Sequence, residues 1–226
     1  MKTHLKALIF DCDGVIADTE PLHLAAFKQT LADDGIQITD KQYYAEYLAL
    51  DDRGCFTKAY SQNNKELSPR LLADLIAQKA AYFEPILQQN LRLFAGVAEL
   101  IESASQIYPL AIASGARRQE IDLILNSNQL RECFQAIISA EDVVNGKPHP
   151  ESFLRACEKV KEIDAAITPA SCLVIEDSFH GIHAAKAAGM RCLAVTNSYS
   201  KEYLSEADLV VESLAGLSLT QLQALF

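Results

Sequence analysis

The stretch Leu5–Glu20, LKALIFDCDGVIADTE, decides how the rest of the chain is read. Its apolar run Leu8-Ile9-Phe10 passes without a break into Asp11, Cys12, Asp13 and Gly14. A short apolar run bounded by a turn signal reads as a buried strand of a parallel sheet. Carboxylates at the carboxyl end of such a strand stand where open α/β sheets bind their ligands. Uncompensated charges are costly to bury, so Asp11 and Asp13 should be paired, metal-bound or at a wet cleft. A solvated turn, punctuated by Asp and Gly, is the plainer alternative; three later segments argue against it.

Working outward, Pro21 can open a helix, since proline at the first helical position gives up no intrahelical hydrogen bond. Gly35 can close it. From about Thr39 to Asn90 the chain reads as helical throughout, without one good strand. Ala45–Leu50, Thr57–Tyr60 and Leu71–Phe83 carry apolar residues three and four apart, and the polar Asn63–Pro69 reads as a loop. From Leu93 onward the pattern changes. Strands are expected at Leu110–Ser114, Ala136–Ser139, Cys172–Ile175, Cys192–Val195 and Leu209–Val211. Helices are expected at Val97–Ser105, Arg117–Asn126, Pro150–Lys161 and Gly181–Ala188. This alternation indicates a parallel sheet covered on both faces. The fold class is therefore α/β, a Rossmann-like parallel-sheet core (residues 1–17 and 92–226) interrupted by an all-helical insertion (residues 18–91). Such a sheet brings Asp13, Ser114 and Asp177 to one edge although the sequence holds them far apart.

The 226 residues, half of them apolar, suffice for one core or two unequal ones. A formal charge of −10 argues against a nucleic-acid binder, whose affinity rests on neutralising phosphates. It leaves room for a small phosphorylated substrate held by local cations or a metal. Six cysteines are scattered with no CxxC pair, which reads as reduced core thiols in a cytoplasmic protein. The N-terminal apolar run is too short for a signal peptide, and no segment is apolar for long enough to span a membrane.

Four segments carry chemistry. In FDCDG one carboxylate can attack phosphorus, while the other can protonate the leaving oxygen and later deprotonate water. Taken alone, the pattern also suits metal-dependent sugar transferases and phospho-accepting modules. In AIASGARR the Ser114 hydroxyl and the amides of Gly115 and Ala116 can form an anion cradle at a helix start; an ordinary N-cap serine is the alternative. In VVNGKPHPESF the Lys147 ammonium can neutralise the nucleophile and a phosphoryl oxygen, and His149 beside it reads as structural or surface. In LVIEDSFHGI the adjacent Glu176 and Asp177, facing Asp11, offer a hard oxygen site suited to Mg²⁺; a helix N-cap is the alternative. His180 and His183, three apart, read as a solvated helix face.

In this order, the four segments resemble the haloacid dehalogenase superfamily of aspartate-nucleophile phosphotransferases. The resemblance spans essentially the whole chain, and the helical insertion is similar to a C1-type cap. The nearest branch is that of β-phosphoglucomutase, phosphoglycolate phosphatase and the CbbY-type sugar-bisphosphate phosphatases. The resemblance implies that Asp11 is nucleophile and metal ligand, and that Asp13 is the general acid/base, its backbone carbonyl also binding metal. It implies that Ser114 and Lys147 hold the transferring phosphoryl group. Asp177 would bind Mg²⁺ directly, with Glu176 supporting the metal site.

The branch also directs attention to the insertion, where a closing cap would exclude water and supply specificity contacts. Glu20 and His23 lie where the chain enters it, and Leu48–Phe56 resembles a substrate-specificity loop. Arg53 matches the mutases there, whereas Ala49 stands where they carry a lysine. Loss of that cation predicts that water, rather than a second sugar hydroxyl, takes the phosphoryl group, although His23 has a counterpart in the mutases. Two relatives are set aside: true haloacid dehalogenases lack the second aspartate, and no insertion lysine is seen in the apolar setting that phosphonate hydrolases require. The expectation is a Mg²⁺-dependent phosphatase for a small phosphorylated metabolite, a sugar phosphate, in a monomer or weak dimer with no nucleic-acid or membrane partner. A phosphomutase is the alternative, and a non-enzymatic phospho-accepting module the third reading.

Overall fold

A computed structural model of the protein describes residues 4–48 and 50–226. The chain divides into two compact units, Met1–Asp18 with Arg92–Phe226, and Thr19–Leu91. In the first, six strands form one parallel sheet in the order β3-β2-β1-β4-β5-β6. They are β1 (Ala7–Phe10), β2 (Leu110–Ala113), β3 (Ala136–Ile138), β4 (Cys172–Glu176), β5 (Arg191–Val195) and β6 (Leu209–Val211). All six strands expected from the apolar runs are present, to within a residue at each end. Every residue of β1, β2 and β4 is buried, as a sheet covered on both faces requires.

The register Phe10↔Ile112 and Phe10↔Ile175 aligns the carboxyl ends of β1, β2 and β4. Strand order reverses beside β1, whose neighbours β2 and β4 continue in opposite directions, so β1 ends at the crevice where open sheets bind ligands. Helix α5 (Val97–Ser105) packs on β2, and α6 (Arg118–Ser127) follows that strand. Helices α7 (Glu151–Lys161) and α8 (Phe179–Ala187) share one apolar cluster with alternate strand residues: Phe153, Ala156 and Ile182 meet Ile9, Ala113 and Val174. A short α9 (Leu219–Gln223), with Ser218 capping it, was not anticipated.

The second unit is all helix: α1 (Glu20–Asp33), α2 (Asp40–Glu46), α3 (Asp52–Gln62) and α4 (Pro69–Asn90). Phe27, Leu31, Tyr47, Phe56, Tyr60 and Leu75 build its core. Gly35, at φ +68, stops α1 as expected, because the left-handed conformation suits glycine. Two details differ from the sequence reading. Of the helical segment expected at Ala45–Leu50, Ala45 and Glu46 end α2, and Tyr47 beyond them is buried; Ala49 lies outside the described residues. Arg53, Gly54, Cys55 and Phe56 are not in a loop. Asp51 accepts from the Gly54 amide at 2.7 Å and starts α3, whose Cys55, Phe56, Ala59 and Tyr60 bury one face. Helix α4 runs through Pro85 to Asn90, the expected end of the helical stretch, with Phe83 and Leu87 buried on either side of the proline.

Candidate active site

The site is built from residues at and just past the strand ends. Asp11 stands one residue past β1, its amide donating to the Ile175 carbonyl at 2.9 Å, so β4 aims it. Glu176 is the last residue of β4, with Asp177 next in the chain; all three acids are buried. One carboxylate oxygen from each lies within 4.8 Å of the others. The Lys147 ammonium donates to Asp11 Oδ1 at 2.7 Å and to Glu176 Oε1 at 2.6 Å, and sits over the Phe153 ring. A loop lysine that read as solvated by itself is thus the cation of the cluster. Burial opposes its charge, yet Asp11 and Glu176 hold its pKa above the usual lysine range.

Glu176 has both oxygens engaged. Oε1 accepts from Lys147, and Oε2 accepts from the amides of Asp177 and Ser178 and from the Ser178 hydroxyl, each at 2.9 Å. A Cβ at position 181 would lie 1.8 Å from this carboxylate, so Gly181 is what lets α8 start so close. Glu176 therefore orients the cluster, whereas Asp11 and Asp177 are less enclosed by donors. The N-cap of α8 is Ser178, whose hydroxyl accepts from the Gly181 amide at 3.0 Å; the alternative of Asp177 as a helix cap does not hold.

Burial pushes the Asp11 carboxyl up to about 7, with Lys147 pulling the other way and Glu176 and Asp13 adding to the rise. Burial and the neighbouring Glu176 and Asp11 likewise hold Asp177 well above the ordinary carboxylate range. Once ionised, the three carboxylates exceed the one ammonium by two charges, an imbalance that a divalent cation would match. The donors are all oxygens, the set that suits Mg²⁺. On charge and chemistry the residues fit that ion.

Asp13, half-buried, lies close enough to Asp11 to raise its carboxyl, in a turn closed by the Gly14 amide on the Ala17 carbonyl at 3.0 Å. Ser114 is buried just beyond β2, with its amide bonded to the Ile138 carbonyl at 3.0 Å. It is not the N-cap of α6, which begins at Arg118; its hydroxyl accepts from the Ala116 amide at 3.2 Å instead. That bond turns one of the two expected cradle amides inward, while Gly115 is exposed. His149 is exposed, and His183 pairs with Glu206 at 3.3 Å on the surface of α8. Five of the six cysteines are buried.

In the helical unit Glu20 accepts from the Tyr43 hydroxyl at 3.0 Å, His23 stacks on Phe83 at 4.0 Å, and Arg53 is exposed in the first turn of α3. The unit also holds a residue the sequence reading missed. Lys79, in the middle of α4, is 3% exposed, pairs with Asp52 Oδ1 at 2.8 Å and meets His23 Nδ1 at 2.8 Å. The sequence reading finds no insertion lysine in a clearly matching apolar setting and does not single out Lys79, which is buried. Its neighbours are an acid and an imidazole rather than an apolar pocket, and its ion pair with Asp52 ties up the amine a Schiff base would need. The available signal was its spacing: Leu72, Leu75, Lys79, Phe83 and Leu87 share one helical stripe.

A family profile described as haloacid dehalogenase-like hydrolase matches residues 8–195. The chain is 34% identical over 220 residues to the protein CbbY of Rhodobacter capsulatus, covering 93% of this chain and 94% of that one. It is 29% identical over 191 residues to the fructose-1-phosphate phosphatase YqaB of Escherichia coli, covering 83% and 95%. The crystal structure of β-phosphoglucomutase from Clostridium difficile superposes with a TM-score of 0.84 at 25% identity, over 98% of this chain and 96% of that one.

Proposed function

Because the chain belongs to the haloacid dehalogenase-like hydrolases, we propose that it is a Mg²⁺-dependent phosphatase that hydrolyses a small sugar phosphate through an aspartyl phosphate on Asp11. The observation that carries this reading is the buried cluster of Asp11, Glu176 and Asp177 around Lys147, two negative charges in excess. Asp11, Asp177 and the backbone carbonyl of Asp13 would hold the metal, with Glu176 orienting them. When bound, Mg²⁺ supplies charge neutralisation and keeps Asp11 ionised.

An Asp11 carboxylate oxygen attacks phosphorus in line with the ester oxygen. The P–O(ester) bond breaks, and Asp13 gives its proton to the leaving alkoxide. A water then attacks the same phosphorus and passes a proton to Asp13; the P–O(Asp11) bond breaks and inorganic phosphate leaves. Lys147 and Ser114 offset and position the phosphoryl oxygens throughout, so catalysis rests on placement and electrostatics. On the core unit Gly115 is the expected cradle residue left exposed beside Ser114.

The likeness to β-phosphoglucomutase favours a second reading, in which a sugar hydroxyl takes the phosphoryl group in place of water. The likeness to a fructose-1-phosphate phosphatase supports hydrolysis. Sugar phosphates incubated with the protein and Mg²⁺ should release inorganic phosphate. Asp11→Asn should fold and yet abolish release, because an amide is a poor nucleophile and a poor Mg²⁺ ligand. Rapid interconversion of hexose 1- and 6-phosphates, dependent on a bisphosphate primer and with little free phosphate, would move the assignment to a mutase.

A further inference from the structure

Strand β5 supplies none of the residues singled out by the sequence motifs, yet the turn after it reaches the cluster. Past Val195 the chain runs through Thr196 to Asn197 and Ser198. The Ser198 hydroxyl donates to Asp177 Oδ2, and the Asn197 side-chain amide donates to the Gly14 carbonyl at 2.7 Å. Gly14 comes directly after Asp13 at φ +76, where a Cβ would lie 1.9 Å from Asp177 Oδ2 and 2.9 Å from Ser198 Oγ. The loops after β1, β4 and β5 therefore meet at one point, in a space left by a missing side chain. All three belong to the same compact unit.

The geometry points to Ser198 as a positioning residue for Asp177, with Asn197 tethering the loop that presents it. A carboxylate at the end of a strand is free to rotate about its Cβ–Cγ bond. With Oδ2 held by a hydroxyl donor, the plane of the Asp177 carboxylate is set. Asn197 clamps the Asp13–Gly14 turn to the same loop, so the β1 and β4 sides of the cluster share one brace. Partners of this kind behind a metal ligand typically affect metal affinity by about 10- to 100-fold. The inference rests on the assignment of Asp11 and Asp177 to a divalent-cation site.

The test uses Mn²⁺ alone, titrated into the full chain and followed by the electron paramagnetic resonance of the free ion. Wild type should bind Mn²⁺, and Asp177→Asn should lose it. Ser198→Ala should raise the Mn²⁺ Kd about tenfold or more with an unchanged melting temperature, and Ser198→Thr, which keeps the hydroxyl, should recover most of the affinity. Wild-type affinity in Ser198→Ala, with Asp177→Asn having lost binding, would overturn the positioning role and leave the metal site standing. Wild-type affinity in Asp177→Asn would remove the metal site itself, and this inference with it.

Discussion

Lys147 sets the charge balance of the core site, because one ammonium touches two of the three buried carboxylates. Replacing it by methionine keeps most of the stem's packing against Phe153 but leaves the acids with no direct counter-charge. The nucleophile then becomes harder to ionise, since Lys147 is what offsets the effect of burial on Asp11. Lys147→Met should lower kcat/KM by roughly 10²–10³, the scale for losing one preorganised electrostatic partner. The acidic limb of its pH profile should move to higher pH; a limb that stays in place would show that Lys147 does not act through Asp11. At this scale the sequence told much. Asp11, Asp13, Ser114, Glu176 and Asp177 come from short motifs at strand ends, where the fold leaves little freedom of placement, and Lys147 from the loop that precedes α7. Ser198 and Asn197 were not legible, because a Thr-Asn-Ser turn after a strand looks like any other polar turn.

Elements were legible wherever one periodicity held from end to end. Each strand is a short apolar run closed by turn residues, so all six could be placed. In the helical unit local signals competed. Pro85 lies inside α4, and tertiary burial of Phe83 and Leu87 on either side of it carries the helix through. Lys79 was passed over because a lysine on a helix normally reads as solvated, whereas here α4 buries it and pairs it with α3 through Asp52 and with α1 through His23. The pair is unequal: Lys79 is 3% exposed and Asp52 34%. Removing one partner of a buried ion pair costs roughly 3–5 kcal/mol when the survivor is stranded away from water. Asp52→Ala strands the ammonium and should cost toward the lower end of that range, since His23 still faces it. Lys79→Met leaves a carboxylate that water can reach, so it should cost about 1 kcal/mol or less. Urea denaturation of the full chain measures both, and equal losses would contradict the buried setting of Lys79.

Across the whole molecule the two-charge excess of the core site makes folding stability depend on pH and on metal together. Burial raises the Asp11 carboxyl from an ordinary 3.8 to about 7, and Asp177 is raised in the same sense. A folded state that binds protons more tightly than the unfolded one gains stability that is full below the unfolded pKa. That gain disappears as pH rises through the folded pKa. In chelator the protein should therefore lose stability between about pH 4 and pH 7, and the formal charge of −10 adds repulsion in the same direction. Glu141, Asp142 and Asp208 are lowered, so their contribution is lost only as pH falls further; His180, lowered by burial, adds a slope opposite in sign to that of the core cluster below its ordinary 6.5. Mg²⁺ binds the ionised carboxylates and must displace any proton they carry, so its stabilisation should grow as pH rises. At 100 times its Kd a ligand adds about 2.7 kcal/mol, or about 5–10 °C in the melting temperature of a chain this size. Melting curves at pH 5, 6, 7 and 8, with Mg²⁺ and with chelator, should diverge steadily across that series. Ca²⁺, with longer bonds and a higher coordination number, should widen the gap less. A Mg²⁺ shift that is the same at pH 5 and pH 8 would mean that the ion binds away from Asp11 and Asp177.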